Sequence, residues 1–181
     1  MNEPLTPEEE RELLRLARRA LEHYFETGGE LEAPVKDPRL KERRGAFVTL
    51  KVDGELRGCI GYPLPHKPLA ETVIEMAVAA ASQDFRFDPL TSEELGRAKI
   101  EISVLSLPEP VTAPEDVVVG CHGIIVSKGL NRGLLLPQVP VEQNWDRTTY
   151  LHHGCLKAGL HPDEWKKGAK IEVFTAQVFS E

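Results

Sequence analysis

Two alternating runs, Gly45-Ala46-Phe47-Val48-Thr49-Leu50-Lys51 and Leu56-Arg57-Gly58-Cys59-Ile60-Gly61, meet at Val52-Asp53-Gly54. Side chains that alternate every two residues around an Asp-Gly pair commit this stretch to an antiparallel hairpin. Two loop lengths compete. A two-residue Asp53-Gly54 loop pairs Leu50 with Arg57 and Val48 with Cys59, which puts charge on the apolar face. A three-residue loop with Gly54 in the left-handed position of a bulge pairs Leu50 with Leu56, Val48 with Gly58 and Ala46 with Ile60. That face is uniformly apolar, and a one-residue slip would flip every side chain. The three-residue loop is the expectation.

The chemistry follows from that parity. Arg57 and Cys59 project together on the second face beside Thr49 and Phe47. Gly58 removes bulk from the apolar face, while Gly61 clears the Arg57 face for a backbone or a ligand. A cation two residues from a thiol stabilises thiolate. The plainer reading of Cys59 is a small buried hydrophobe, the commonest fate of a free cysteine.

A chain of 181 residues suits one domain or two lobes and can bury a core without covalent staples. Its 41% apolar and 28% charged residues are ordinary for a globular protein. The net charge of -7 disfavours a general grip on nucleic acid, though not a local basic patch. No apolar run reaches membrane-spanning length, and the acidic start lacks the pattern of an export signal, so a cytoplasmic location is expected. Cys59, Cys121 and Cys155 form an odd set without framework spacing, which favours reduced thiols.

Upstream of the hairpin, Thr6-Pro7-Glu8-Glu9 is a capping box, followed by Leu13, Leu14, Ala17, Ala20, Leu21, Tyr24 and Phe25 on one helical face. Gly28-Gly29 ends that helix. The loop that follows ends in a basic run, Lys36 to Arg44, which reads as a solvated segment or as an anion-attracting rim beside the hairpin. Downstream, Pro68 opens a helix to about Ser82 whose alanines suit close packing on a sheet. In Asp84-Phe85-Arg86-Phe87, the acid and the base flank an aromatic, either as an ion pair holding a turn or as polar groups supplied to a cleft.

A second capping box at Thr91-Ser92-Glu93-Glu94 precedes a half-buried strand from Lys99 to Ser106. Prolines 108, 110 and 114 make the next segment a connection. A second hairpin joins Ile124-Ile125-Val126 to Leu134-Leu135-Leu136, with His122 at one entrance. His122 is the first histidine to weigh as a general base, against a hydrogen-bonded structural role. Adjacent pairs such as Cys121-His122 and His152-His153 point apart, so no metal site is expected. Asp146 caps a helix that Gly159 stops, and Lys170 to Phe179 reads as one closing strand.

Taken together, these motifs resemble the AMMECR domain family. Leu56-Arg57-Gly58-Cys59-Ile60-Gly61 is similar to its hallmark hexapeptide, and Asp84-Phe85-Arg86-Phe87 to its aspartate-x-arginine-phenylalanine loop. His122-Gly123-Ile124 and Gly133-Leu134-Leu135-Leu136-Pro137-Gln138-Val139 match its second hairpin. Glu142, Trp145, Asp146 and Cys155 to Gly159 match its C-terminal block. The resemblance implies one AMMECR-type domain over residues 1–181. Its fold would be mixed α+β, mostly antiparallel sheet with flanking helices, in two closely packed lobes. It also implies association with a Memo-type dioxygenase-like protein and a radical SAM protein, raises nucleic-acid-related roles, and marks the hexapeptide as the functional site. It names no cofactor.

Two functions follow. In the first, Cys59 is a thiolate nucleophile acting on a small anionic or RNA-related substrate. Arg57 tunes it, His122 or Glu142 moves a proton, and Gly58, Gly61, Asp84, Arg86, Glu142 and Trp145 line the cleft. In the second, the chain is a non-catalytic module that binds an anionic ligand, RNA or a companion protein, and Cys59 only packs.

Overall fold

Thr6 starts the first helix as the capping box requires. Its hydroxyl accepts the Glu9 amide, and the Glu9 carboxylate accepts the Thr6 amide at 2.6 Å. In the computed structural model, which describes residues 3–181, helix α1 runs Pro7–Thr27 and ends at Gly28 in the left-handed conformation. The remaining elements are β1 (Ala46–Val52), β2 (Glu55–Tyr62), α2 (Leu69–Ser82), α3 (Ser92–Leu95), β3 (Ala98–Leu105) and β4 (Glu109–Pro110). They continue with β5 (Gly123–Lys128), β6 (Asn131–Leu135), α4 (Val139–Glu142), α5 (Arg147–Lys157), β7 (Lys170–Phe174) and β8 (Ala176–Ser180). The fold is α+β with two four-stranded sheets, ordered β2-β1-β3-β8 and β4-β7-β5-β6, and every strand pairing with a defined register is antiparallel.

The chain divides into two compact units, one of residues 1–105 with 177–181 and the other of residues 106–176. The closing segment is therefore two strands and not one. The break falls at Thr175, between β7 in the second unit's sheet and β8 at the edge of the first unit's sheet. An uninterrupted alternation cannot show that a strand changes sheets, because both halves have the same period.

In the first unit, Ala46, Val48, Leu50 and Val52 turn one face of β1 into the core, and α2 packs on it. The alanines of α2 let helix and sheet approach closely. A Cβ on Gly58 would stand 1.9 Å from the carbonyl oxygen of Ala80, so only glycine fits where α2 crosses β2. Leu13, Leu16, Ala17, Ala20 and Leu21 of α1 belong to the same core.

The hairpin differs from the expected register. Val52 pairs with Glu55 and Lys51 with Leu56, so the turn has two residues, with Asp53 and Gly54 both at positive φ. A bulge between Leu50 and Lys51 then shifts the register, and Leu50 faces Gly58 while Val48 faces Ile60. The bulge restores the expected parity two residues out of register, because one extra residue on β2 reverses which face each side chain takes. The apolar face is preserved, except that Leu56 opposes Lys51 and is exposed.

The basic run from Lys36 to Arg44 is not a free rim. Arg39 donates to the carbonyls of Glu3 and Pro4 and pairs with the buried Glu9. Arg43 donates to the His66 carbonyl, and the buried Arg44 pairs with Glu42. These arginines fasten the loop to its neighbours.

In the second unit, α5 lies against β5 and β6 over a core of Val117, Ile124, Val126, Tyr150, Leu151, Cys155, Ile171 and Val173. Cys155 is fully buried in it. Among the described residues, no helix is long and apolar enough to cross a membrane.

Candidate functional site

Strand β2 is an edge strand, and the loop after α2 closes part of that edge with side chains. The Asp84 carboxylate accepts the Cys59 amide at 2.9 Å, and Arg86 reaches the Cys59 carbonyl at 3.4 Å. Asp84 also accepts the Arg86 amide and two guanidinium hydrogens, at 2.9 and 2.7 Å. The pair thus stands in for a missing strand at one residue. Asp84 is 5% exposed, whereas Phe85, held between the two charged residues, is 95% exposed. The Arg86 hydrogen bonds, against the opposing cost of burial, hold the Asp84 carboxyl well below the usual carboxylate range.

Arg57 sits at the bulge and is engaged. Its guanidinium meets Glu94 of α3 in a two-point contact at 2.9 and 2.8 Å and donates to the Asp88 carbonyl. Glu94 is also the last residue of the capping box and accepts the Thr91 amide. Its carboxyl is lowered to about 2, chiefly by the Arg57 hydrogen bond.

A carboxylate depressed on folding contributes stability that is complete above its unfolded value, near 4.5 for glutamate, and lost as pH falls through the folded value. The stability advantage of the wild type over Glu94→Gln is therefore expected to be full at pH 7. It should shrink below pH 4.5 and vanish near pH 2, as read by thermal melts across that range.

Cys59 is half-buried, and its sulfur accepts from the Thr49 hydroxyl at 3.1 Å. Among the described residues, no histidine or carboxylate bonds that sulfur. Gly61 does not leave an open wall, because the Phe47 ring occupies the space a Cβ would need, with its nearest carbon at 2.4 Å.

His122, Glu142 and Trp145 belong to the second unit. The His122 ring accepts the Val118 amide at 3.2 Å within its own turn, and its carbonyl accepts the Tyr150 hydroxyl of α5 at 3.1 Å, so both halves of the residue are engaged inside the second unit. Trp145 stacks on His153 with ring centroids 3.8 Å apart. Glu142 ends the four-residue α4 and is exposed. Arg57, Gly58, Cys59, Gly61, Asp84 and Arg86 are thus gathered in the first unit, while the other three are held by contacts within the second. Among the described residues, no group of three or more His, Cys, Asp or Glu side chains is arranged to hold a metal ion.

Sequence reasoning missed Glu94 as the partner of Arg57. The capping box revealed the residue, but an N-cap role gives no hint of a second partner 37 positions away. It also missed the exposure of Phe85, since an aromatic between two charges reads equally well as core.

An antiparallel α+β chain whose hexapeptide strand is clamped by an Asp-Phe-Arg loop defines a recognisable class. A family model described as AMMECR1 matches residues 14–179. The chain is 51% identical to Protein MK0488 of Methanopyrus kandleri, over 100% of this chain and 92% of that protein. It is 42% identical to Protein Mbar_A1807 of Methanosarcina barkeri, over 98% and 92%. The crystal structure of uncharacterized protein PH0010 from Pyrococcus horikoshii is similar, with a TM-score of 0.77 and 46% identity over 93% of this chain and 89% of that one. The chain belongs to the AMMECR1 family.

Proposed function

We propose that this protein is a non-catalytic docking module whose binding face is formed by β2 and the Asp84-Phe85-Arg86-Phe87 loop. The observation that carries this reading is Phe85, a large aromatic 95% exposed yet held between the buried Asp84 and its ion-pair partner Arg86. Ordering an exposed aromatic in advance removes much of the entropic cost of binding, and buried aromatics dominate interface energies. The polar groups around it support the same reading. Arg57 and Arg86 are each paired with a carboxylate of their own unit, which leaves little unsatisfied charge for an anionic substrate. The partner is a protein, and family resemblance nominates the Memo-type and the radical SAM proteins.

Titration calorimetry of the purified chain against each of those two proteins tests this. Phe85→Ala is expected to weaken binding by about 30-fold, the effect of losing an interface anchor, while Cys59→Ser changes it less than twofold. Wild-type affinity in Phe85→Ala, or no binding of either protein, would contradict the proposal.

A thiol-dependent enzyme is the second reading. The half-buried sulfur against the Thr49 hydroxyl favours it. It requires Cys59→Ser to abolish function in a fully folded protein.

A further inference from the structure

One cavity of the first unit lies away from the Cys59 thiol. It is a groove of about 810 Å³ along α2, bounded by β2 at Ile60 and Tyr62 and by the segment from Glu30 to Pro34. A smaller space of about 240 Å³ shares Ala33, Glu71 and Ile74 with it and continues it toward Leu40 and Pro68. The volume falls in the range of small-molecule sites, and neither Arg57 and Cys59 nor the Asp84–Arg86 pair lines it.

Its lining sorts into two kinds of surface. Leu31, Ile60, Ile74, Met76, Val78 and Ala79 make an apolar floor. Around them stand Glu30, Glu32, Glu71 and Glu75, with Lys67 as the one cation lining the larger space and Lys41 lining its continuation. Lys67 is already engaged, since it pairs with Glu75, which also accepts the Tyr62 hydroxyl at 2.8 Å. Glu30, Glu32 and Glu71 form no ion pair among the described residues. An anion is repelled by this arrangement, and a neutral apolar molecule leaves its charge uncompensated.

We propose that this groove binds an aliphatic amine bearing two or more ammonium groups, its methylenes on the Leu31, Ile74 and Val78 floor and its charges at Glu32, Glu71 and their neighbours. The carboxylates are not gathered round one point as a metal ion needs, so the matching cation carries its charge at intervals along a chain. An extended peptide is excluded as an added strand, because Asp84 and Arg86 occupy the β2 edge at Cys59 and Pro63 follows the strand without an N–H.

Calorimetry on the whole chain with 1,8-diaminooctane as the probe tests the site. The comparison ligands are octylamine, octanoate and a diamine of equal length with two ether oxygens in its chain. Octylamine and the ether diamine are each expected to bind at least about 10-fold more weakly than 1,8-diaminooctane, and octanoate not to bind, because each lacks a charge, the apolar body or the right sign. The double variant Glu32→Gln/Glu71→Gln, both positions exposed, should keep the wild-type melting temperature and lose at least about 10-fold in diamine affinity. Three results overturn the proposal: no heat from the diamine, octylamine binding as well as the diamine, or unchanged affinity in the double variant. Phe85→Ala leaves diamine binding intact in either case, so failure here and failure of the docking face are distinguishable.

Discussion

Gly58→Ala is expected to cost about 3 kcal/mol or more and to lower the melting temperature by about 6–12 °C, if the protein accumulates at all. The reason is steric and local. The added methyl group meets the Ala80 carbonyl oxygen at 1.9 Å, a backbone atom inside α2 that cannot rotate aside. Helix α2 must therefore lift from β2, and its small, tightly packed residues Ala77, Ala80 and Ala81 lose contact together. Gly96→Ala is the control. Gly96 has helical φ and ψ, and a Cβ added there would meet nothing within 4 Å, so its melting temperature should stay within the scatter of surface substitutions. Thermal melts of the two variants side by side separate a close-approach glycine from an incidental one.

Asp84→Asn is expected to cost about 3 kcal/mol by a different route. The asparagine keeps the shape of the aspartate but loses its charge against Arg86. Its amide group also cannot accept from the Cys59 amide, the Arg86 amide and two guanidinium hydrogens at once. A buried donor left unpaired costs more than the bond itself contributes, so the loss falls on Cys59 N–H and on the edge of β2. Chemical denaturation with an unchanged slope and a lower midpoint is the expected signature.

Much of this architecture is legible in the sequence, for reasons that can be named. The capping boxes at Thr6 and Thr91 form as their spacing dictates, because both partners lie within one turn. The α2 alanines and Gly58 foretell a close helix–sheet contact, since small residues on facing surfaces have few other uses. The Asp84–Arg86 ion pair is one of the two readings its spacing allows.

The rest depends on tertiary context. The apolar face of the hairpin fixes parity, but a two-residue turn with a bulge keeps that parity as a three-residue loop does and leaves only Leu56 exposed, so alternation alone favours the wrong turn. The space opened at Gly61 is filled by Phe47 from the neighbouring strand, which a two-residue period does not reveal. The change of sheet at Thr175 and the pairing of Arg57 with Glu94 each join segments distant in the chain, and no local pattern encodes them.

A carboxylate, more than the thiol, organises the hexapeptide strand. Amide hydrogen exchange at Cys59, followed by NMR in the wild type and in Asp84→Asn, tests it most directly. The expected result is a Cys59 amide protected in the wild type despite its place on an edge strand, with protection falling by at least about 10-fold in Asp84→Asn and much less at Val48 in the centre of the sheet. A Cys59 amide that exchanges freely in the wild type, or equally slowly in both proteins, would contradict it.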